Sequence, residues 1–198
     1  MSRYTGPKFK ISRREGVNLT GTTSKRLEEV LQIPPGGRAR PRQRTAFGVR
    51  LRAKQRLRGQ FSLTERAMRR FLRRAQTMPG PTGLNLLRLL ERRLDNVVFR
   101  GGFARTRPMA RQLVSHGHVL VNGRRVNIAS CLVKPGDAIE LRPSTMEIPV
   151  VKEEMLTRGV TASWLERDGS RIRIVSAPGR EDSEGDIRED LIVEYYAR

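Results

Sequence analysis

Between Arg38 and Arg74 the chain carries fourteen arginines or lysines and a single carboxylate, Glu65. Solvated helix faces usually alternate both signs, so a run this one-sided repels itself unless something anionic lies against it. The imbalance is global but uneven. Over 198 residues there are 40 Lys and Arg against 20 Asp and Glu, a net charge of +20. Residues 1–90 account for +18, residues 91–152 for +6, and residues 153–198 for −4. With 37% apolar residues, a core closes only if most of these cations stay outside it.

Membrane and nucleic acid are the polyanions large enough to matter. No apolar run approaches the roughly 18 residues of a membrane span, and the opening MSRYTGPKFKISRREG lacks a signal peptide's apolar stretch. The charge density therefore points to nucleic acid and away from a membrane. An aromatic content of 5% is low for stacking on single strands and favours structured RNA. Cys131 is alone, so it forms no internal disulfide and reads as a small buried hydrophobe.

Residues 1–44 have little apolar periodicity and are punctuated by Pro34, Pro35, Gly36 and Gly37, which predicts a basic arm with little structure of its own. Thr45 caps a predicted helix to about Arg58, with Phe47, Leu51 and Leu57 inward. Ser62 with Glu65 reads as a capping box for a second helix, whose apolar stripe is Met68, Phe71, Leu72 and Ala75. A third helix is expected from Thr82 through Val98 to the Gly101, Gly102 stop, with Arg88, Arg92 and Arg93 on or beside its polar side. Beyond it the pattern alternates. Val119 and Val121, then Asn122-Gly123, then Val126 and Ile128 predict a hairpin with a type I′ turn. Strands are also expected around Ala138–Leu141 and on both sides of Asp168-Gly169, and the apolar segment at 191–196 is expected to dock.

The segment ARTRPMARQLVSHGHVLVNGRRVN, residues 104–127, gathers five arginines and both histidines. Thr106 as N-cap and Pro108 in the first turn start a helix, and Gly117 ends it. Ala110, Leu113 and Val114 then face the core, while Arg107, Arg111 and Ser115 line the opposite side. Arginine beside the free N–H groups of a helix start suits phosphate. The two histidines lack the neighbouring ligands of a zinc shell. As bases they would need an orienting acid, and the nearest carboxylates in sequence are Asp95 and Asp137. Capping of the helix end by His116 is the structural alternative, and a mixed structural and RNA-contact role for the pair is expected.

The stretch RRLDNVVFRGGFARTRPMARQLVSHGHVLVNGRRVNIASCLVKPGD, residues 92–137, resembles the S-four RNA-binding domain. Arg3-Tyr4, Gly6-Pro7, the SRREG at 12–16, the VRLR-KQ segment at 49–55, the helix from Thr82 and the final LIVEYY extend the likeness over nearly the whole chain. They resemble the S-four family of bacterial small-subunit ribosomal proteins. That resemblance implies an α+β fold: a helical domain at 45–90 completed by the tail at 182–198, with the RNA-binding helix-and-hairpin domain at 91–181 inserted and the arm at 1–44. It implies primary binding of 16S rRNA at a multi-helix junction and early nucleation of subunit assembly. A position near neighbouring small-subunit proteins and the path by which mRNA enters, an influence on accuracy, and repression of the chain's own mRNA are implied as well.

The RNA-contact set implied by charge and resemblance comprises Arg3, Tyr4, Lys8, Lys10, Arg13 and Arg14 in the arm and Arg50, Arg52, Lys54, Gln55 and Arg56 in the first helix. Arg69, Arg70, Arg73, Arg92 and Arg93 follow. Arg105, Arg107, Arg111, Gln112, Ser115, His116, His118, Asn122 and Arg124 complete it. No catalytic residue, cofactor or metal is expected. Many relatives hold zinc on N-terminal cysteines, whereas this chain has Phe9 and Ser12 in that region. It also replaces the family's PPGQHG with PPGGRARPRQR, and its tyrosine-glycine before the second helix with Gln60-Phe61. An enzyme on the same RNA-binding module would need a catalytic domain, and no phosphate-binding glycine loop, Ser-His-Asp order or metal cluster is present. A stand-alone regulator of structured mRNA or tRNA would share the charge and the motif; the size of its RNA footprint separates the two.

Overall fold

Thr45, extended at φ −67° and ψ 156°, accepts a hydrogen bond from the Gly48 N–H at 3.2 Å and caps the helix that follows. The computed structural model describes residues 6–19, 21, 24–36, 45–183 and 187–197. Its helices are α1 (Lys8–Glu15), α2 (Lys25–Val30), α3 (Ala46–Gln60), α4 (Glu65–Gln76), α5 (Thr82–Glu91), α6 (Leu94–Arg100), α7 (Arg107–Ser115), α8 (Pro143–Met146), α9 (Pro149–Thr157) and α10 (Glu189–Tyr196). The strands β1 (Val119–Val121), β2 (Arg124–Arg125), β3 (Ala138–Leu141), β4 (Leu165–Asp168) and β5 (Arg171–Ile174) form one antiparallel sheet in the order β2-β1-β3-β5-β4. The fold is α+β. Two compact units divide it, Met1–Leu86 with Gly185–Arg198, and Leu87–Glu184.

In the first unit α3 is the element against which α1 and α10 pack. Leu57, Phe61, Leu63, Met68, Phe71, Leu72, Ala75 and Ile192 are buried, so the apolar stripe of α4 is where its spacing put it. Phe47 is not inward: it is 49% exposed and tilts against the Tyr195 ring at 5.7 Å. The capping expectation at Ser62 is corrected as well. Ser62 takes a positive φ of 50° in the turn that closes α3, and Thr64 caps α4 by accepting from the Ala67 N–H. The arm holds more order than its composition predicts, in α1 and α2. Ser12, Leu19 and Leu27 are buried; the Ser12 hydroxyl accepts from the Leu19 N–H at 3.4 Å, and Arg13 donates to the Ile33 and Pro34 carbonyls at 2.8 and 3.3 Å.

The expected third helix is two helices. Arg93 is extended because the Leu94 and Asp95 N–H groups bond the Cys131 and Ala129 carbonyls, at 2.9 and 3.2 Å, in place of the preceding turn. In the second unit α6 and α7 pack together, and Val98, Phe103, Ala110, Val114, Val119, Ile139, Leu141, Trp164, Ile172 and Ile174 form its core with one face of the sheet. Thr106 caps α7 as expected, accepting from the Met109 N–H at 3.3 Å. Asn122 and Gly123 both have positive φ, 50° and 75°, which the tight turn between β1 and β2 requires. The second strand ends at Arg125, and Ile128 lies 53% exposed outside it. After β3, α8 and α9 fill a stretch where the sequence shows no helical stripe; each begins with a proline in its first turn.

The sheet's other face is laced with opposite charges. Arg125 lies opposite Leu120, Leu120 opposite Glu140, Glu140 opposite Arg171 and Arg171 opposite Asp168, with Arg173 opposite Glu166 in the next row. The Arg171 and Glu140 side chains meet at 3.1 Å. Deeper in this unit Glu91 and Arg100, with side chains 1% and 3% exposed, pair at 3.2 Å, and the Asn96 amide donates to the same carboxylate at 2.7 Å. Removing one member of a buried pair strands the other, at roughly 3–5 kcal/mol. Glu91→Ala therefore lowers the stability of this unit by about that amount. Urea unfolding followed by the fluorescence of Trp164, the chain's single tryptophan and 1% exposed, checks it.

Candidate nucleic-acid interface

Burying Met68, Phe71, Leu72 and Ala75 turns the other side of α4 outward, and Arg66, Arg69, Arg70, Arg73 and Arg74 are all exposed there. Glu65 reaches Arg69 at 3.5 Å. Arg66, Arg70, Arg73 and Arg74 have no carboxylate partner among the described residues. A helix ridge of this kind, spaced at three and four residues, suits a sugar-phosphate backbone.

On α3 the sequence-derived contacts divide. Arg50 pairs with Glu194 at 2.7 Å and Arg52 with Glu15 at 3.2 Å, both half-exposed, while Gln55 and Arg56 are half-buried. Lys54 is a correction. It is 4% exposed, donates to Glu65 at 3.1 Å and to the Tyr195 hydroxyl at 3.5 Å, and lies over the Tyr195 ring at 4.5 Å. It faces α4 and α10, so its charge is spent on the docked C-terminal helix. The Tyr196 hydroxyl donates to Glu65 at 2.8 Å. Burial pushes the Glu65 carboxyl upward, but hydrogen bonds from Tyr196 and Lys54 outweigh it and hold the group below its ordinary range. Burial and the bond to that carboxylate push the Tyr196 phenol up. In the arm Lys10 and Arg14 are exposed and Arg13 is held by its carbonyls. Arg3, Tyr4, the side chain of Lys8 and the charges at Arg38–Arg44 lie outside the described residues.

In the second unit two expected contacts are corrected. Arg93 is 2% exposed and clasps Asp95 with two bonds, at 3.0 and 2.6 Å. Arg107 is 5% exposed, donates to the Asn96 side-chain oxygen at 2.9 Å and lies over the Phe99 ring at 4.4 Å. Side chains in a first helical turn lean back toward the helix N-terminus, which carries Arg107 onto α6 and off the outer ridge with Arg111 and Ser115. Arg92 is half-buried and donates to the Val133 carbonyl at 2.7 Å. Arg105 pairs with Glu154 at 2.9 Å. Asn122 is exposed but occupied, donating to Asp137 and accepting from the Ala138 N–H, both at 2.9 Å.

Gln112, Ser115, His116 and Arg124 are exposed and Arg111 is half-buried, all on α7 and the hairpin beside it. Two residues outside the expected set join them. Arg125 donates to the His116 carbonyl at 3.3 Å, packed so closely over Gly117 that any Cβ there would strike its guanidinium; Gly117 itself has φ 73°. The Arg142 N–H donates to the His118 carbonyl at 3.0 Å. Arg125 was visible in the same hairpin. Arg142 arrives through the pairing of Val119 with Leu141, which nothing local signals. The His118 ring bonds the Thr145 hydroxyl at 3.0 Å. Partial burial, then the nearby charges of His116, Arg142 and Arg125, lower its pKa from 6.5. Among the described residues no three His, Cys, Asp or Glu side chains gather as metal ligands, and no helix is long and apolar enough to cross a membrane.

A basic helical unit followed by α7 and its hairpin defines a class of RNA-binding protein: residues 92–139 match the S4 domain, and residues 3–91 match the Ribosomal protein S4/S9 N-terminal domain. Relatives described as small ribosomal subunit protein uS4 come from Rubrobacter xylanophilus, a Geobacillus species and a Roseiflexus species. They are 43%, 44% and 44% identical to this chain, with 100% of both chains covered in each case. The chain belongs to the uS4 family of small ribosomal subunit proteins, which are structural and not enzymes.

Arg107→Ala removes an inward contact and costs about 1.5–3 kcal/mol of stability, typical of a bond to a charged group. Replacing Arg124 and Arg125 together by alanine leaves thermal unfolding nearly unchanged and weakens RNA binding; melting curves beside filter binding separate the two. For His118 the folded pKa lies below the 6.5 of the unfolded chain, so the unfolded state takes up the proton first. Stability is then full above pH 6.5 and falls as pH drops below it toward the folded pKa. His118→Gln flattens that part of a melting-temperature profile against pH.

Proposed function

We propose that this chain is a primary 16S rRNA-binding protein that seats on a multi-helix junction and nucleates assembly of the small-subunit body. The observation that carries the reading is the outer ridge of α4, where Arg66, Arg70, Arg73 and Arg74 face outward without carboxylate partners among the described residues. The patch of His116, His118, Arg125 and Arg142 in the second unit supplies a further cationic surface. A-form grooves hide base edges, so two such surfaces select an RNA mainly by the spacing of its phosphates. The protein's place is the cytoplasmic ribosome, beside neighbouring small-subunit proteins and the path by which mRNA enters, where it contributes to decoding accuracy. Repression of its own mRNA is a compatible second role, through a transcript segment folded like the rRNA target.

Deproteinised small-subunit rRNA, titrated with the full chain in filter-binding assays, provides the test. Specific binding persists at ~0.2 M salt and falls linearly in log-log form with added salt. Replacing Arg70, Arg73 and Arg74 by alanine lowers that slope by about two to three. Affinity for the rRNA no greater than for random RNA of equal length would overturn the assignment.

A further inference from the structure

Between α1, the turn at 34–36 and α3 lies a cleft of about 620 Å³ lined by Lys10, Arg14, Pro34, Pro35, Leu51 and Gln55, with the Glu15 and Arg52 pair at its edge. Its walls are fixed. Arg13 holds the turn through the Ile33 and Pro34 carbonyls, while Arg52 pairs with Glu15 at 3.2 Å and bonds the Arg14 carbonyl, joining α3 to α1. Inside this frame stand three polar side chains. Lys10, Arg14 and Gln55 make no side-chain hydrogen bond or ion pair among the described residues, although each lines the cleft. The cleft therefore combines an apolar wall of two prolines and a leucine, a cationic rim, and one amide that both donates and accepts.

We infer that this cleft takes a single unstacked nucleotide of the bound RNA, its base inserted against Pro34, Pro35 and Leu51 and its edge read by the Gln55 amide. The inference rests on the rRNA-binding reading and deepens it. The size falls within the usual range of a small-ligand site, ~300–1,000 Å³. The composition separates a nucleotide from a bare phosphate, which needs no apolar wall, and from an apolar peptide side chain, which needs no cationic rim. Lys10 and Arg14, both exposed at the cleft, supply cations for the phosphates flanking an inserted base. Unpaired nucleotides at bulges and junctions are the ones free to splay out and be bonded along their edges, with guanidinium planes or flat apolar surfaces replacing the lost stacking. A protein with 5% aromatic residues can thus read an occasional base while gripping the rest of its target by phosphate position.

A base contact and a phosphate contact differ in salt dependence, which makes the inference testable. The full chain, Gln55→Ala and Arg14→Ala are titrated against deproteinised small-subunit rRNA over a salt series, with circular-dichroism melts to show that each variant is folded. Gln55→Ala weakens binding about tenfold with an unchanged log-log slope, since it neutralises no phosphate. Arg14→Ala lowers the slope by about one. Photo-crosslinking with rRNA carrying 4-thiouridine or 6-thioguanosine joins one nucleotide to the peptide containing Leu51 and Gln55, and that nucleotide is unpaired in the free RNA. Three results overturn the inference and leave the rRNA reading intact: wild-type affinity for a folded Gln55→Ala, crosslinks at that peptide from paired nucleotides only, or crosslinking of the cleft to a protein in assembled subunits. Failure of the unaltered chain to bind the rRNA specifically is a different result and removes the rRNA reading itself.

Discussion

The carboxylate of Glu65 governs how the first unit spends its charge. It receives hydrogen bonds from Lys54 and Tyr196 and lies within 3.6 Å of Arg58 and 3.5 Å of Arg69, so one anion gathers cations from two helices and a phenol from a third. Glu15 and Glu194 do similar work for Arg52 and Arg50. Acids are scarce in this unit, and these three sit where α1, α4 and α10 meet α3. Most of the outer side of α4 is left positive because these carboxylates are taken by Arg50, Arg52, Lys54, Arg58 and Arg69. Local repulsion along that ridge is the condition under which the unit has something to offer a polyanion.

The second unit settles its charges differently. Buried arginines there are structural: Arg93 on Asp95, Arg100 on Glu91 and Arg107 on Asn96 with the Phe99 ring. Guanidinium groups tolerate this because they stack on rings and satisfy several acceptors from one plane. What remains outside is a compact patch at the end of α7 and the adjoining hairpin. The His118 ring in it is held by the Thr145 hydroxyl, while the backbone carbonyls of His116 and His118 accept from the Arg125 side chain and the Arg142 N–H.

Much of this was legible in the chain's periodicities. The Thr45 and Thr106 caps, the stripe of α4, the Asn122-Gly123 turn and the strand pair around Asp168-Gly169 all follow from local rules, and local rules decide them; the docking of Leu191–Tyr196 was signalled by its apolar composition, while its seat on α3 is set by packing. The misses have a common cause. Arg107 was assigned outward from helix phase alone, but at a helix start the neighbouring element, here α6, decides. The single helix expected from Thr82 to Val98 breaks because carbonyls more than thirty residues away in sequence bond Leu94 and Asp95, an interaction that no window of sequence contains. Lys54 and Arg93 looked like surface cations because their partners, Tyr195 and an Asp95 turned back on its own neighbour, are identified only by packing. Residue type revealed the kind of partner; which arginines remain available to it needed coordinates.

The opposite charges laid across the sheet continue to its edges. Both edges of the sheet are chemically blunt: β2 is two residues long and consists of Arg124 and Arg125, while β4 presents Glu166, Arg167 and Asp168 in succession. Strand edges left bare recruit one another, and charge placed along them is the usual deterrent. The charges along β2 and β4 therefore disfavour strand pairing between copies of this chain.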